Sequence, residues 1–199
     1  MLRAVLILSL SLLAGCAIGP RTPEGTANYD FGLQPAGKEA HPRLHQDLLV
    51  AQVAAPAWLD NTGIYYRLAY QDAARPQAYA LSHWVMSPAA LLGQRVRANI
   101  ARANTAGVFA PSDGVRTDYT LRLELEEFSQ VFDSADKSHA VLRLRASLIR
   151  QPRIAAQAIF DLHYPAATPN AEGGVRALIA ASDDVSEKLI AWLAANLKE

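Results

Sequence analysis

Two stretches decide the fold: LRLELEEF at residues 121–128 and LRLRASL at residues 142–148. Apolar and polar residues alternate along both of them, and such alternation is typical of a strand with one buried and one solvated face. We therefore expect an antiparallel meander of three strands that runs from Tyr119 to slightly beyond Ile159.

The charges in these stretches predict the register of the first strand pair. When Leu125 is placed opposite Leu144, Glu124 falls opposite Arg145, so apolar contacts and ion pairs form together across the strands. The same register pairs Leu121 with Leu148 and Glu126 with Arg143.

The alternation is interrupted once. The apolar series passes from Leu125 to Phe128, and one extra residue near Glu127 restores the facing, which predicts a β-bulge there. A third strand is predicted from Ile154 to Leu162, with alternate residues on one face. Those residues are Ile154, Ala156, Ala158, Phe160 and Leu162.

Two helices are predicted, one before the meander in the sequence and one after it. Ser87-Pro88 is typical of a helix start. The serine hydroxyl can cap free amides, and proline's lack of an amide hydrogen costs nothing in the first turn, where amides have no partner within the helix. This helix is expected to run to Asn104. Asn170 can cap a second helix, which has an apolar stripe from Val175 to Leu197.

Further strands are predicted ahead of the first helix. Leu48 to Val53 has the pattern of a short buried strand, and Ile64 to Tyr70 followed by Gln77 to Val85 that of a hairpin. The sequence therefore predicts an α+β fold of two layers, in which two main helices pack on one face of a mixed, largely antiparallel sheet.

The composition fits one folded domain with a tail. The chain has 199 residues, 51% of them hydrophobic, and Lys plus Arg equals Asp plus Glu at 19 each. A chain without net charge is not drawn as a whole to nucleic acid or to an anionic bilayer, which leaves protein or lipid partners. The single cysteine excludes an internal disulfide.

The N-terminus has the pattern of a lipoprotein signal peptide. Arg3 precedes an apolar run, Ala4 to Ala14, which is too short to cross a membrane because a crossing takes about 20 residues. The run ends in Leu13-Ala14-Gly15-Cys16, which resembles the bacterial lipobox. The resemblance implies cleavage after Gly15 and S-diacylglycerol and N-palmitoyl groups on Cys16. An ordinary secretory signal or a buried helix is the alternative.

The lipobox resemblance also bears on location. Ala17 stands where an aspartate, by similarity to enterobacterial lipoproteins, favours retention at the inner membrane, so we expect a lipid anchor in the periplasmic face of the outer membrane. The expected domains are a signal peptide over residues 1–15, a lipidated and largely flexible tether over 16–47, and one folded domain over 48–199.

The predicted tether is rich in proline and glycine, which disfavour a packed core. Its 31 residues after Cys16 can reach about 100 Å when fully extended. Tyr29-Asp30-Phe31-Gly32 is an aromatic island within it. This island is predicted to dock on the domain as a first strand, and a loose linker is the alternative.

No catalytic or metal-binding constellation is predicted. His41 and His45 have a metal-compatible spacing only in a helix, and a proline lies between them. Ser82 and His83 are neighbours on a predicted strand, so their side chains point to opposite faces and cannot form a nucleophile–base pair. Gly173-Gly174 lacks the lysine of a phosphate loop and indicates a close approach of backbones. We expect no enzyme activity and no cofactor.

One aromatic set is dense enough to form a partner-binding surface, although packing in the core or the hairpin is the favoured explanation. The set comprises Trp58, Tyr65, Tyr66, Tyr70 and Trp84. The hairpin from Ile64 to Val85 also offers an edge for self-association, so a homo-oligomer is a further expectation.

Taken together, the pattern resembles the ABC-type transport auxiliary lipoprotein family, the periplasmic lipoproteins of mammalian-cell-entry (MCE) type lipid transport systems. The resemblance covers most of Tyr29 to Leu197. It is carried by the order and spacing of several motifs: Tyr29-Asp30-Phe31-Gly32, Ala55-Pro56-Ala57-Trp58-Leu59-Asp60, Ile64-Tyr65-Tyr66-Arg67-Leu68, Tyr79-Ala80, Trp84, Pro88, Leu91-Leu92, Leu121-Arg122-Leu123-Glu124-Leu125 and Glu127-Phe128.

The resemblance implies a non-enzymatic component that links the outer membrane to a lipid transporter. The implied partners are an MCE-domain protein and the inner-membrane permease and ATPase. Two other functions remain open: a periplasmic carrier that holds lipid in its own cavity, and a tethered envelope hydrolase.

Overall fold

The computed structural model describes residues 25–33 and 44–197. Within them lie eight strands, β1 (Ala27–Tyr29), β2 (Leu48–Val50), β3 (Gly63–Leu68), β4 (Pro76–Trp84), β5 (Val108–Phe109), β6 (Tyr119–Phe132), β7 (Ser138–Arg150) and β8 (Arg153–Pro165). The helices are α1 (Ala69–Asp72), α2 (Pro88–Ala103) and α3 (Ala171–Asn196), and 3₁₀ turns span Ala57–Leu59 and Pro111–Asp113.

The first strand pair of the meander, β6 with β7, has the predicted register as far as the bulge. Leu125 lies opposite Leu144, Leu121 opposite Leu148, and Glu124 opposite Arg145. The ladder shifts between Leu125 and Glu127, so the predicted bulge is confirmed. Because Glu126 is the inserted residue, Arg143 faces Glu127 in the ladder and not Glu126.

The prediction that Ile154 shares a face of β8 with Ala156 and the alternate residues after it was wrong. A second register shift places Ala156 opposite Leu148 but Ile154 opposite Ile149, so Ala155 is the inserted residue. Residues directly opposite each other share a face, and Leu148 is buried whereas Ile149 is not. Ile154 therefore lies on the solvated side, where its side chain is 59% exposed.

The second edge of β6 is shared by two strands. β2 runs parallel to its first residues, with Leu48 opposite Tyr119, and β3 runs parallel to its last, with Leu68 opposite Phe132. β5 extends the sheet from β2, while β4 pairs antiparallel with β3 and β1 pairs parallel with β4. The sheet is thus mixed, and its long ladders are antiparallel.

The two main helices lie on one face of this sheet. α3 packs against β6, β7 and β8, and α2 packs against α3. Asn170 caps α3, accepting the Gly173 amide at 2.9 Å, whereas the Ser87 side chain makes no cap hydrogen bond to α2. The predicted α+β class is confirmed. We call the opposite, solvated side of the sheet the outer face.

The predicted close approach at Gly173-Gly174 is also present. A Cβ on Gly174 would lie 2.1 Å from Oε1 of Gln130, and one on Gly173 would lie 2.1 Å from the Thr168 carbonyl oxygen. Only glycine lets the start of α3 sit this close to β6.

Candidate functional site

The predicted signal peptide and the predicted lipidation site, Cys16, lie outside the described residues. The described chain begins with residues 25–33, which we call the N-terminal arm. β1 of the arm pairs with the end of β4, Tyr29 opposite Trp84. The Phe31 side chain is only 5% exposed and lies 5.6 Å from the ring of Trp84 and 6.0 Å from that of Phe128. The aromatic island is therefore docked on the domain, with the Phe31 ring in the hydrophobic core and Tyr29 packed against it.

A buried arginine of α2 holds the arm. Arg95 is 4% exposed, and its Nη2 donates to the carbonyl oxygens of Phe31 and, at 3.4 Å, of Gly32. Its guanidinium carbon lies 5.9 Å from the centre of the Phe31 ring, within range of a cation–π contact. Its Nε lies 3.5 Å from Oδ1 of Asp183 on α3. One side chain thus joins the arm to both helices.

Asp183 is the counter-ion in this contact. Burial raises the pKa of its carboxyl above the ordinary value, and the charge of Arg95 acts in the opposite direction. Desolvation of an ion pair costs free energy that its own attraction only partly returns. Arg95 therefore depends on the two backbone carbonyls of the arm as well as on Asp183.

Sequence reasoning missed Arg95, although a signal was present. Leu91, Leu92, Val96 and Ile100 form the buried stripe of α2, and Arg95 lies at helical spacing within that stripe. A charged residue on an apolar helix face is costly unless it is paired, so its position indicates a buried partner. The sequence could not identify that partner as the arm.

The last residues assigned to the tether are also folded. Leu44 is 2% exposed, and its amide donates to the carbonyl oxygen of Ala103 at 2.8 Å. The Gly107 amide donates to Asp47 at 2.7 Å. The prediction of a largely flexible tether up to residue 47 is thus corrected for two segments. The arm, before residues 34–43, and residues 44–47, after them, contact the folded domain.

The predicted aromatic surface divides among three places. Trp84 is 2% exposed and packs in the core against Phe31 and Phe128, so its assignment to a partner surface was wrong. Tyr66 points to the helix side, with its ring 4.6 Å from Tyr79 and 5.9 Å from Phe132. Neighbouring strand residues face opposite sides, which is why Tyr65 and Tyr66 separate.

Two members of the set remain together on the outer face. The rings of Trp58 and Tyr65 are 5.2 Å apart, edge to face, and the Arg67 guanidinium lies 5.2 Å over Trp58. Arg67 also forms a 3.0 Å ion pair with Glu127, and Asn61 donates to the Tyr65 hydroxyl at 3.0 Å. We call these five residues the outer cluster. Tyr70 lies apart from it on α1, 46% exposed.

Beneath Tyr66 lies a buried polar network. The Tyr79 hydroxyl donates to Oε1 of Gln130 at 2.9 Å, and Nε2 of Gln130 donates to Ser138 at 2.8 Å. Gln130 is fully buried, and burial of Tyr79 raises the pKa of its phenol far above the ordinary value. The network holds β4, β6 and β7 together, and its tyrosine stays protonated throughout the physiological range.

The carboxylates of the meander form ion pairs on the outer face. Glu126, at the bulge, lies 2.6 Å from Arg145 and 3.3 Å from Arg143, while Glu124 lies 3.7 Å from Arg145. Such pairs occupy the carboxylates that an acid/base mechanism would need to leave free.

Two of the described histidines lie together on the meander. His139 and His163 stack at 5.3 Å on β7 and β8, and each contacts an aspartate at 3.2 Å. His45 contacts the Thr105 hydroxyl at 2.7 Å, and His41 lies outside the described residues. Over residues 25–33 and 44–197, no group of three or more His, Cys, Asp or Glu side chains could hold a metal ion. In the same segments, no helix combines the length and hydropathy that a membrane crossing requires.

Comparison with known proteins gives one family and a fold. A family model described as the ABC-type transport auxiliary lipoprotein component matches residues 29–190. A crystal structure of a Xanthomonas campestris protein assigned to the DUF330 family model superposes with a TM-score of 0.73 at 20% identity, covering 85% of this chain and 96% of that one. A second crystal structure, of an uncharacterized protein, has a TM-score of 0.64 at 16% identity and covers 85% and 99%.

At these identities the likeness to the two structures extends to the fold alone. No curated protein matches the chain.

Proposed function

The chain belongs to the family of ABC-type transport auxiliary lipoprotein components, and from that membership we propose that it links the outer membrane to an MCE-type lipid transporter of the inner membrane. The observation that carries the proposal is the docked N-terminal arm. It fixes the point at which a lipid-anchored chain enters the folded domain.

The arm limits the distance between the proposed anchor and the domain. From Cys16 to Ala27 the chain advances 11 residues, which span at most about 40 Å in any conformation. A flexible tether up to residue 47 would reach about 100 Å. The domain is therefore held close to the membrane that carries the acyl chains, with its partner surface at a limited range of heights.

The outer cluster is the proposed docking surface for the MCE-domain protein. It combines a tryptophan, a tyrosine and an arginine, the residue types that contribute most binding energy at protein interfaces. Its ion pair and hydrogen bonds hold these side chains in place before a partner arrives, which lowers the entropy lost on binding. Trp58 and Tyr65 are half-buried, so each still presents part of its ring to a partner.

A lipid carrier of the internal type has less support. The layer between helices and sheet is filled by side chains with 0% or 1% exposure from both layers. They include Leu92, Val96, Leu123, Leu125, Leu142, Leu144, Leu178 and Leu189. A carrier needs a cavity of several hundred Å³ in such a layer.

Crosslinking in whole cells tests the transporter link. A photo-reactive benzoylphenylalanine at Trp58, compared with one at the exposed Leu33 of the arm, should give an adduct that contains an MCE-domain protein only at Trp58. Equal adducts at both positions, or recovery of unrelated proteins alone, would refute the proposed docking surface.

The anchor has its own test. Mass spectrometry of protein extracted from native membranes should find an acylated N-terminal Cys16 and no peptide from residues 1–15. An unmodified thiol or an uncut leader contradicts the placement in the membrane.

A further inference from the structure

The sheet ends in a long strand with one unpaired edge. β8 runs from Arg153 to Pro165, and over the described residues it pairs with β7 alone. Its other edge therefore presents backbone amides and carbonyls that can pair with a further strand. The hairpin edge, where the sequence predicts self-association, is partly covered, because β1 pairs with Ser82–Trp84 of β4. Of these two edges, β8 offers the longer free one.

Two uncharged stretches meet beside the edge of β8. Residues 154–160 and residues 189–197 contain no Asp, Glu, Lys or Arg, although these residue types make up 19% of the chain. The first stretch belongs to β8 and the second ends α3, and they are in contact where the rings of Phe160 and Trp192 lie 6.4 Å apart, edge to face. Sheet edges are usually protected from pairing by charged side chains or proline, and β8 has neither between its bulge at Ala155 and Asp161.

The side chains along this edge are only partly covered. On the helix side Ala158 and Phe160 are half-buried, because α3 covers them from one side only. On the outer face Ile159 is 53% exposed. Trp192 is half-buried, and Ala195, three residues further along the same side of α3, is exposed. The free backbone groups of the edge thus lie between two apolar surfaces.

We propose that β8 pairs antiparallel with β8 of a second copy of this chain, so that one sheet runs through both copies and covers Phe160 and Trp192 of each. The surface suits a second copy, because a two-fold axis brings it onto itself and an uncharged surface meets no like charge there. The contact goes beyond the proposed link to a transporter. It lies on the far side of the meander from β3, which carries Tyr65 of the outer cluster.

The side chains of β8 select one register for this pairing. When Ile159 lies on the two-fold axis, Asp161 falls opposite the neutral Gln157 of the second copy. On the helix side, Phe160 then falls opposite the small Ala158, so a large side chain meets a small one. A register with Asp161 on the axis would set two carboxylates face to face, which is destabilising.

Disulfide formation between single engineered cysteines tests this register. The full-length protein is extracted in dodecyl maltoside and oxidised with copper phenanthroline, and dimers are measured on gels without reductant. Ile159→Cys places two cysteines on the axis, within the distance that a disulfide bridges. Ile154→Cys is the matched control on the same strand, because that residue is 59% exposed but would lie about 30 Å from its counterpart.

Two further samples complete the disulfide experiment. Leu81→Cys, at a residue of β4 that is 48% exposed, reports on the hairpin edge. The native chain, whose single cysteine is Cys16, is the blank. We expect Ile159→Cys to give at least about tenfold more dimer than any of the other three samples.

A charge exchange on the axis tests whether the partner is a second copy. Ile159→Lys and Ile159→Asp should each sediment as monomers, because like charges would face each other across the axis. An equal mixture of the two variants should sediment as a dimer, because the facing charges are then opposite. Ile159 is exposed, so both substitutions leave the core intact.

Three results would overturn the inference: no excess of dimer from Ile159→Cys over Ile154→Cys, sedimentation of Ile159→Lys as the native protein, or a mixture of the Lys and Asp variants that stays monomeric. Dimer from Leu81→Cys alone would also overturn it and would place self-association at the hairpin edge. None of these results bears on whether Trp58 crosslinks to an MCE-domain protein.

Discussion

The guanidinium of Arg95 contacts Phe31 twice, donating a hydrogen bond to its carbonyl oxygen and lying 5.9 Å from the centre of its ring. The two residues are 64 positions apart in the chain. Since the ring of Phe31 also packs on Trp84 and Phe128, the arm contributes one buried side chain to the core, and its removal should destabilise the whole domain.

Phe31→Ala should lower the free energy of unfolding by about 3–4 kcal/mol, because it deletes a buried aromatic ring and leaves a cavity. Urea denaturation of the variant measures the loss. Leu33→Ala is the matched control, since Leu33 belongs to the same arm but is 98% exposed, and it should be neutral. Equal effects of the two substitutions would mean that the arm is not docked in solution.

Arg95→Gln should release the arm selectively. The shorter amide cannot reach the two carbonyls and Asp183 at once, and a hydrogen bond from a charged donor contributes about 1.5–3 kcal/mol. We expect amides of Ala27–Tyr29 to exchange hydrogen at least about tenfold faster, measured by mass spectrometry. Arg97→Gln, on the same helix but half-exposed, should leave their exchange unchanged. Unchanged exchange in Arg95→Gln would contradict the role of this side chain.

Gly174→Ala should be destabilising by about 2–3 kcal/mol, although alanine normally favours a helix by about 1 kcal/mol. The new Cβ would meet Oε1 of Gln130, whose side chain is buried and bonded to Tyr79 and Ser138, so it cannot move aside. Thermal unfolding measures the loss. The double variant Gln130→Ala/Gly174→Ala should cost less than the sum of the two single variants, and strict additivity would argue against the contact.

Tyr164→Phe should produce a loss of stability that depends on pH. The Tyr164 hydroxyl donates to Asp184 at 2.8 Å, and Lys188 contacts the same carboxylate at 2.9 Å. Burial acts to raise the pKa of Asp184, but these two hydrogen bonds lower it below the usual 3.8 overall. A carboxyl whose pKa is lower in the folded than in the unfolded state stabilises the fold at any pH above its unfolded-state pKa. This stabilisation is lost as the pH falls through its folded-state pKa.

The stability difference between the native protein and Tyr164→Phe should therefore be about 1 kcal/mol at neutral pH and shrink below about pH 4. Denaturant titrations at several pH values measure it. Tyr70→Phe removes an exposed hydroxyl and should show no such dependence. A difference that persists unchanged at acid pH would count against the Asp184 contact.

The register of β6 against β7 could be predicted up to the bulge because its information is local. Alternation, charge and the break at Glu126-Glu127 all lie within two neighbouring strands, and each restricts the same register. The position of Ile154 was mispredicted for a physical reason. The bulge at Ala155 leaves a small apolar residue out of the ladder, and a run of alanines gives no contrast in hydropathy to reveal it.

Long-range contacts could not be predicted in the same way. Two separate strands share one edge of β6, and no local pattern indicates which segment of it each will occupy. The aromatic set was predicted from its density in the sequence, and density does not distinguish faces: Tyr65 and Tyr66 are adjacent, and only the first joins the outer cluster. Trp84 was included in the set on the same ground of density, although its ring packs in the core against Phe31 and Phe128.

The docked arm also has a mechanical consequence. Tension applied to the chain ahead of Gly25 is transmitted to the folded domain through the three-residue strand β1, the ring of Phe31 and the hydrogen bond from Arg95 to the Phe31 carbonyl oxygen. Residues 34–43 lie behind this point and are shielded from the pull until those contacts break. Rupture would lengthen the free chain by the 17 residues from Ala27 to Leu44, adding at most about 60 Å in one step.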